Sequence, residues 1–302
     1  MRKLLPILLV IVLVCVGMYA ARQAQVDFGH HLTRQAAAVN RIVSLAPSIT
    51  ETVFALGAGD RLVGVTRYCC YPPEAKKIAK IGGYIDPNFE AIVRLKPDLV
   101  IVTVENKESA KKLTDLGLRV LTVNQNTIPG IIASITKIGH TIGADDRANK
   151  LVSGIQGRID EVKRRTKGLN RPSVLISIGR SMGGGVSEIY VAGKNNFYDE
   201  IIGIAGGRNA YDSNIAKTPA LSGEGITRLN PDIIIDLAPG KGKNRIEKSV
   251  GEWNTLSHVS AVKNNRVYTL TSDYVVVPGP RFIETLEDIA RAIHPEIEWS
   301  RK

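Results

Sequence analysis

The apolar positions of this chain fall into short runs separated by amphipathic segments. Ile42-Val43-Ser44-Leu45, Leu62-Val63-Gly64-Val65, Leu99-Val100-Ile101-Val102 and Val120-Leu121-Thr122-Val123 are compact runs rich in β-branched residues, which predict buried strands. A helix is predicted from Pro47, with Ser48 as its N-cap, Glu51 at capping-box spacing and Leu56-Gly57 at its end. Lys107 to Leu116 reads as a second helix. Strands that alternate with helices predict parallel βαβ units.

Asp145 to Thr166 breaks this rhythm. It is charged, free of proline, and keeps Ala148, Leu151, Val152, Ile155, Ile159 and Val162 at helical spacing. At 1.5 Å per residue that is a helix of about 33 Å. Arg171-Pro172 closes it, Val174 to Ile178 starts a new strand, and Glu188 to Gly193 reads as another.

The second half then repeats the first. Glu90-Ala-Ile-Val-Arg-Leu-Lys-Pro-Asp-Leu-Val-Ile101 aligns with Glu224-Gly-Ile-Thr-Arg-Leu-Asn-Pro-Asp-Ile-Ile-Ile235 at seven identical positions of twelve. Each window reads as a short helix, a Pro-Asp turn and a buried strand, and each is followed by one further strand, Val120 to Val123 or Val267 to Leu270. The expected organisation is an N-terminal α/β lobe at 40–143, a bridging helix at 144–168 and a C-terminal α/β lobe at 169–302. Both lobes are expected to be Rossmann-like with parallel sheets. A ligand cleft is expected between them, since clefts between domains are favoured binding places.

The first forty residues carry a different pattern. Met1-Arg2-Lys3 is basic, and Leu4 to Val16 is apolar apart from the break at Pro6, the layout of an export signal. Leu4 to Ala21 covers 18 residues, close to the ~20 that cross a bilayer. Residues 1–21 therefore read as a signal peptide or signal anchor. Cys15 follows Val14 rather than the small residue of a lipoprotein site, so cleavage, anchoring and lipidation stay open. The polar, Ala-rich residues 22–39 read as a tether. Everything beyond is expected outside the cytoplasm, held to the membrane by this segment.

Charge and chemistry narrow the picture further. The 302 residues carry 40 Lys+Arg against 29 Asp+Glu, a net +11, of which residues 1–40 hold +3. Export removes nucleic acid as the usual partner of such a balance, and only 16 aromatics are present to stack on bases. Three cysteines are too few for a disulfide framework, and the adjacent Cys69 and Cys70 read as a buried small residue or free thiols. No zinc spacing and no phosphate-cradling Gly-x-x-x-x-Gly-Lys-Ser/Thr occurs, and His30-His31 lies in the tether. No metal site or cofactor is expected. One enzyme motif does occur: Gly179-Arg180-Ser181-Met182-Gly183 follows a strand, as a hydrolase nucleophile elbow would, with Asp236 and His258 or His294 in order behind it. The Gly-rich residues after it are a poor helix start, which an elbow requires. A secreted serine hydrolase using Ser181 is the competing reading from another class.

Longer stretches carry a resemblance. Arg41-Ile-Val-Ser-Leu-Ala-Pro-Ser-Ile-Thr-Glu51, Gly64-Val-Thr-Arg-Tyr68, Tyr71-Pro-Pro-Glu74, the two Glu…Leu-x-Pro-Asp segments, Thr271-Ser-Asp-Tyr274 and Gly279-Pro-Arg-Phe282 resemble the solute-binding proteins of cobalamin and iron-siderophore ABC importers, from about Arg41 to Pro295. The resemblance implies a non-enzymatic, monomeric receptor that delivers a small-molecule metal chelate to an ABC permease and its ATPase, with little closure on binding. It implies one docking glutamate per lobe, at Glu90 and Glu224, the first residues of the repeat. It implies a cleft lined by Pro47, Ser48, Arg67, Tyr68 and Tyr84 on one side and by Arg180, Lys217, Tyr274 and Arg281 on the other. Cobalamin receptors of this kind are rich in cleft tryptophan, whereas this chain has only Trp253 and Trp299, at neither matching place. Tyr and Arg walls would suit an anionic chelate through charge-assisted bonds. An iron-siderophore-type chelate is therefore expected first, with cobalamin and haem as alternatives.

Overall fold

The computed structural model describes residues 39–180, 186–240 and 243–299. The export segment, most of the tether and Ser181 lie outside the described residues.

Four parallel strands form the first sheet: β1 (Ile42–Ser44), β2 (Leu62–Val65), β3 (Leu99–Thr103) and β4 (Val120–Val123), in the order β2-β1-β3-β4. Helix α1 (Pro47–Ala55) follows β1, α2 (Phe89–Arg94) precedes β3, and α3 (Lys107–Asp115) links β3 to β4. The buried side chains of Val43, Leu45, Ile81, Ile92, Val100, Val102 and Leu113 pack together as this lobe's core. The second sheet has the order β10-β9-β5-β6-β8, built from β5 (Ser173–Arg180), β6 (Ile189–Val191), β8 (Ala220–Leu221), β9 (Ile233–Leu237) and β10 (Val267–Leu270), with β7 (Arg208–Asn209) also on β5. Its core centres on the fully buried Trp253. This sheet is mixed, not parallel as expected: β6 runs antiparallel to both β5 and β8. Only residues 181–188 separate β5 from β6, whereas a parallel neighbour needs a crossover of about a dozen residues or more.

Helix α4 (Ile128–Ile142) has no counterpart in the sequence reading, yet its rules are present. Thr127 caps its N-terminus by accepting from the Gly130 N–H, Pro129 lies in its first turn, and Gly143 ends it at φ 70°. Helix α5 (Asp145–Thr166) has the bounds expected of the bridging helix. Asp145 and Asp146 begin it and Lys163, Arg164 and Arg165 end it, so both ends suit the helix dipole. Helices α6 (Phe197–Ile204), α7 (Gly223–Leu229), α8 (Lys243–Trp253), α9 (Ser260–Lys263) and α10 (Phe282–Ile293) follow in the second lobe. Ala148, Ile155, Ile159 and Val162 form the buried stripe of α5, which packs against α4 and α10.

Side chains fasten α5 to both lobes. Arg147 donates to the Leu56 and Gly57 carbonyls that end α1, at 3.1 and 2.9 Å. Further along, Arg158 pairs with Glu287 of α10 at 2.7 Å, and Arg165 donates to the Glu298 carbonyl. A bridge held this way transmits the position of one lobe to the other.

The repeat is also visible in its caps. Asn88 accepts from the Ala91 N–H at the start of α2, and Ser222 accepts from the Gly225 N–H at the start of α7. Asn88→Ala and Ser222→Ala should each lower stability by about 1 kcal/mol in urea unfolding, the usual worth of a lost N-cap. The capping box expected at α1 does not form. Ala46 is its N-cap residue and contributes no side-chain bond, while Ser48 and Glu51 point elsewhere.

Candidate functional site

In the first sheet the chain leaves β1 to form β2 on one side and then returns to β3 on the other. The carboxyl ends of β1 and β3 therefore flank a topological switch point, where open α/β sheets bind ligands. Ala46, Pro47 and Ser48 follow β1, Thr103 ends β3 with Glu105 in the turn after it, and Gln125 and Asn126 follow β4. Together with Tyr84 and the segment Val276 to Pro278 they enclose a chamber of about 260 Å³. A second chamber of about 270 Å³ shares Gln125, Asn126, Val276 and Pro278, and continues along Ile178, Asn196, Phe197, Tyr198, Lys217 and Thr218 of the other lobe. The two chambers form one seam between the lobes, pinched where Gln125 and Asn126 meet Val276 and Pro278.

Gly279 explains how the lobes come so close. A Cβ there would stand 3.1 Å from the Ser48 Cα and 3.3 Å from its carbonyl oxygen. The Ile128 N–H at the start of α4 donates to the Glu200 carboxylate of α6 at 2.5 Å, a further tie between the lobes.

Four of the nine expected ligand residues line the seam: Pro47, Ser48, Tyr84 and Lys217. The Tyr84 hydroxyl bonds Thr103 Oγ1 at 2.8 Å, and burial pushes its pKa up, so it stays a neutral phenol. Arg67 and Tyr68 are exposed beyond the chambers; Arg67 pairs with Asp86, and its guanidinium carbon lies 5.5 Å from the Tyr68 ring. Tyr274 donates to Asp288 at 2.6 Å, and burial and that carboxylate push it up to about 12.

The two remaining arginines, Arg180 and Arg281, are both held in ion pairs. The Arg180 side chain is 2% exposed and pairs with Asp236 and Glu252, while Asp236 also accepts from Ser249 and Trp253. Burial pushes Asp236 up, but the Arg180 and Ser249 bonds outweigh it and hold the carboxyl below its ordinary range. Arg281 is no freer. It donates to Glu51 at 2.9 and 2.6 Å and to Asp273 at 2.9 and 3.1 Å, with its guanidinium carbon 3.5 Å from the centre of the Tyr71 ring. Both guanidiniums are engaged by acids that sequence spacing could not connect to them.

Larger hollows lie along α5. One of about 780 Å³ is walled by Glu51, Glu74, Lys150, Arg158, Arg281 and Glu284, charges that largely neutralise one another. Another of about 770 Å³ is an apolar groove over α4, α5 and α6. Neither lies at strand ends, where the chain's loops converge. Among the described residues no cluster of His, Cys, Asp and Glu could hold a metal ion, and no helix is long and apolar enough to cross a membrane. Cys69 is buried, Cys70 is exposed, and neither forms a disulfide.

Residues 42–274 match the family model described as periplasmic binding protein. The chain belongs to that family. This binding protein is 35% identical over 264 residues to an uncharacterised ABC transporter substrate-binding lipoprotein, YvrC, of Bacillus subtilis, covering 85% of this chain and 80% of that one. It is 29% identical over 258 residues to the vitamin B12-binding protein of Vibrio vulnificus, covering 84% and 90%. Among solved structures, the periplasmic heme-binding protein RhuT from Roseiflexus superposes with a TM-score of 0.72 at 27% identity, covering 85% and 98%. The chain is thus an extracytoplasmic substrate-binding protein of an ABC transporter, of the group that serves vitamin B12, haem and siderophores. Its partners are an ABC permease and a small molecule, and it is not an enzyme.

Proposed function

We propose that this receptor captures a bulky metal chelate of low net charge, a corrinoid of the cobalamin type, in the seam between its lobes and hands it to the permease. The observation that carries this reading is the chemistry of the walls. Pro47, Ser48, Tyr84, Thr103, Gln125, Asn126, Ile178, Asn196 and Thr218 offer amides, hydroxyls and carbon, with Glu105 and Lys217 as the charged lining groups of opposite sign. Side-chain amides match the carboxamides that ring a corrinoid, whereas an anionic chelate needs the guanidiniums that Arg180 and Arg281 have already committed. The vitamin B12-binding relatives support the same choice. Each chamber is smaller than the ~300–1,000 Å³ of a usual ligand site, so Val276 to Pro278 must give way for such a molecule to enter.

An iron-siderophore-type chelate is the second reading. The exposed Lys217 and the accessible face of Arg67 favour it, and haem would use the same cations for its propionates. In either case we place Glu90 and Glu224 as the permease contacts, with the ATPase acting behind the permease. The receptor works as a monomer held at the outer face of the cytoplasmic membrane by its N-terminal segment. Equilibrium dialysis of the full-length chain against cyanocobalamin, ferrichrome, a ferric tricatecholate and haemin tests the ranking. Cyanocobalamin is expected to bind at about 1 μM or tighter, a free energy of about −8 kcal/mol, and at least tenfold more tightly than the tricatecholate. Preference for the tricatecholate reverses the reading.

A further inference from the structure

Gln125 is absent from the residues expected in the cleft, yet it lines both chambers. It is 3% exposed, and its Oε1 accepts a hydrogen bond from the Ser48 hydroxyl at 2.6 Å. Its Nε2 is buried with no hydrogen-bond partner, one of few such atoms among the described residues. A buried amide donor left unpaired is costly, so native structures rarely keep one without a use. Ser48 can pair only one end of the amide, and in this arrangement its hydroxyl holds the oxygen. Ser48 is itself fixed on the first turn of α1 and hemmed in by Gly279.

We infer that Gln125 is a specificity-determining ligand contact: Ser48 holds its amide so that Nε2 donates to an acceptor oxygen of the bound molecule at the pinch of the seam. The ligand class this selects is one that presents a carboxamide, hydroxamate or carboxylate oxygen toward the floor between the lobes. This inference rests on the seam being the chelate site proposed above.

Two variants of the full-length chain test it, each read by affinity and by thermal unfolding. Gln125→Glu keeps the shape and the acceptor for Ser48 but replaces the donor by an oxygen. The double variant Ser48→Ala with Gln125→Leu removes both partners and strands neither. Each is expected to weaken binding of cyanocobalamin at least tenfold, while the ligand-free double variant melts at or above the wild-type temperature. If ferrichrome or haemin is the probe that binds, the same tenfold loss is expected there, which assigns the oxygen to a hydroxamate or a propionate. Binding within twofold of wild type in either variant overturns the contact. A ligand-free double variant that melts below wild type overturns the stranded donor. Wild-type protein that binds none of the probes refutes the chelate reading, and the melting comparison then still decides for or against the stranded amide.

Discussion

Arg281→Met is expected to lower the stability of the ligand-free protein by about 3–5 kcal/mol at neutral pH, the usual effect of removing one partner of a buried ion pair. Its partner Glu51 has a side chain only 4% exposed, on a helix of the other lobe. Burial pushes the Glu51 carboxyl up, and the Arg281 bonds and charge offset this only in part. Without Arg281 the carboxyl rises further. A carboxyl whose folded pKa exceeds its unfolded one contributes most below the unfolded pKa of ~4.3 and destabilises as pH rises through the folded value. The deficit of the variant should therefore be large at pH 7.5 and shrink toward pH 4.5, as measured by urea unfolding at both. Glu51→Gln added to Arg281→Met should recover most of the loss. A deficit that does not change with pH would assign the effect to the lost stacking on Tyr71 instead of to a stranded charge.

The second large effect is expected in transport. Charge reversal at both proposed docking positions, Glu90→Lys with Glu224→Lys, should cut uptake by the reconstituted permease at least tenfold while leaving chelate affinity unchanged. Both acids are exposed and sit in capped helices of the repeat, each the second residue after its cap. A single exposed ion pair contributes only ~0–1 kcal/mol, so either reversal alone should do much less. Two such contacts fix the orientation of a two-lobed receptor on a two-fold partner, and reversing both turns attraction into repulsion. High salt should narrow the difference between the proteins, because exposed charges are screened. Uptake unaffected by the double reversal would remove these residues from the interface.

The elements that can be read from the sequence are those whose evidence is local. The bridging helix is legible to the residue because acids, bases and the stripe of Ala148, Ile155, Ile159 and Val162 all agree. The repeat locates α2, β3, α7 and β9 through its own internal copy. The antiparallel β6 reads correctly as a strand, but its direction is set by which neighbour it meets, which a period of two does not encode. The candidate site is legible in part for the same reason. Pro47 and Ser48 come just after β1, where a resemblance transfers well, and the resemblance also points to Tyr84, well beyond β2. The ion pairs of Arg180 and Arg281 are not legible, because Asp236 and Glu51 lie 56 and 230 residues away from them and meet them only in the folded chain. Gln125 carries one faint signal, an amide just past the apolar run Val120 to Val123, and nothing in the sequence says that its nitrogen goes unpaired.

The fastening of α5 has a consequence for traffic at the membrane. Arg147 ties it to one lobe, and Arg158 and Arg165 tie it to the other. We expect ties of this kind to hold the span between Glu90 and Glu224 nearly constant as cargo comes and goes. If the permease reads that span at the proposed contacts, full and empty receptors present the same face to it, and discrimination between them falls to the steps after docking.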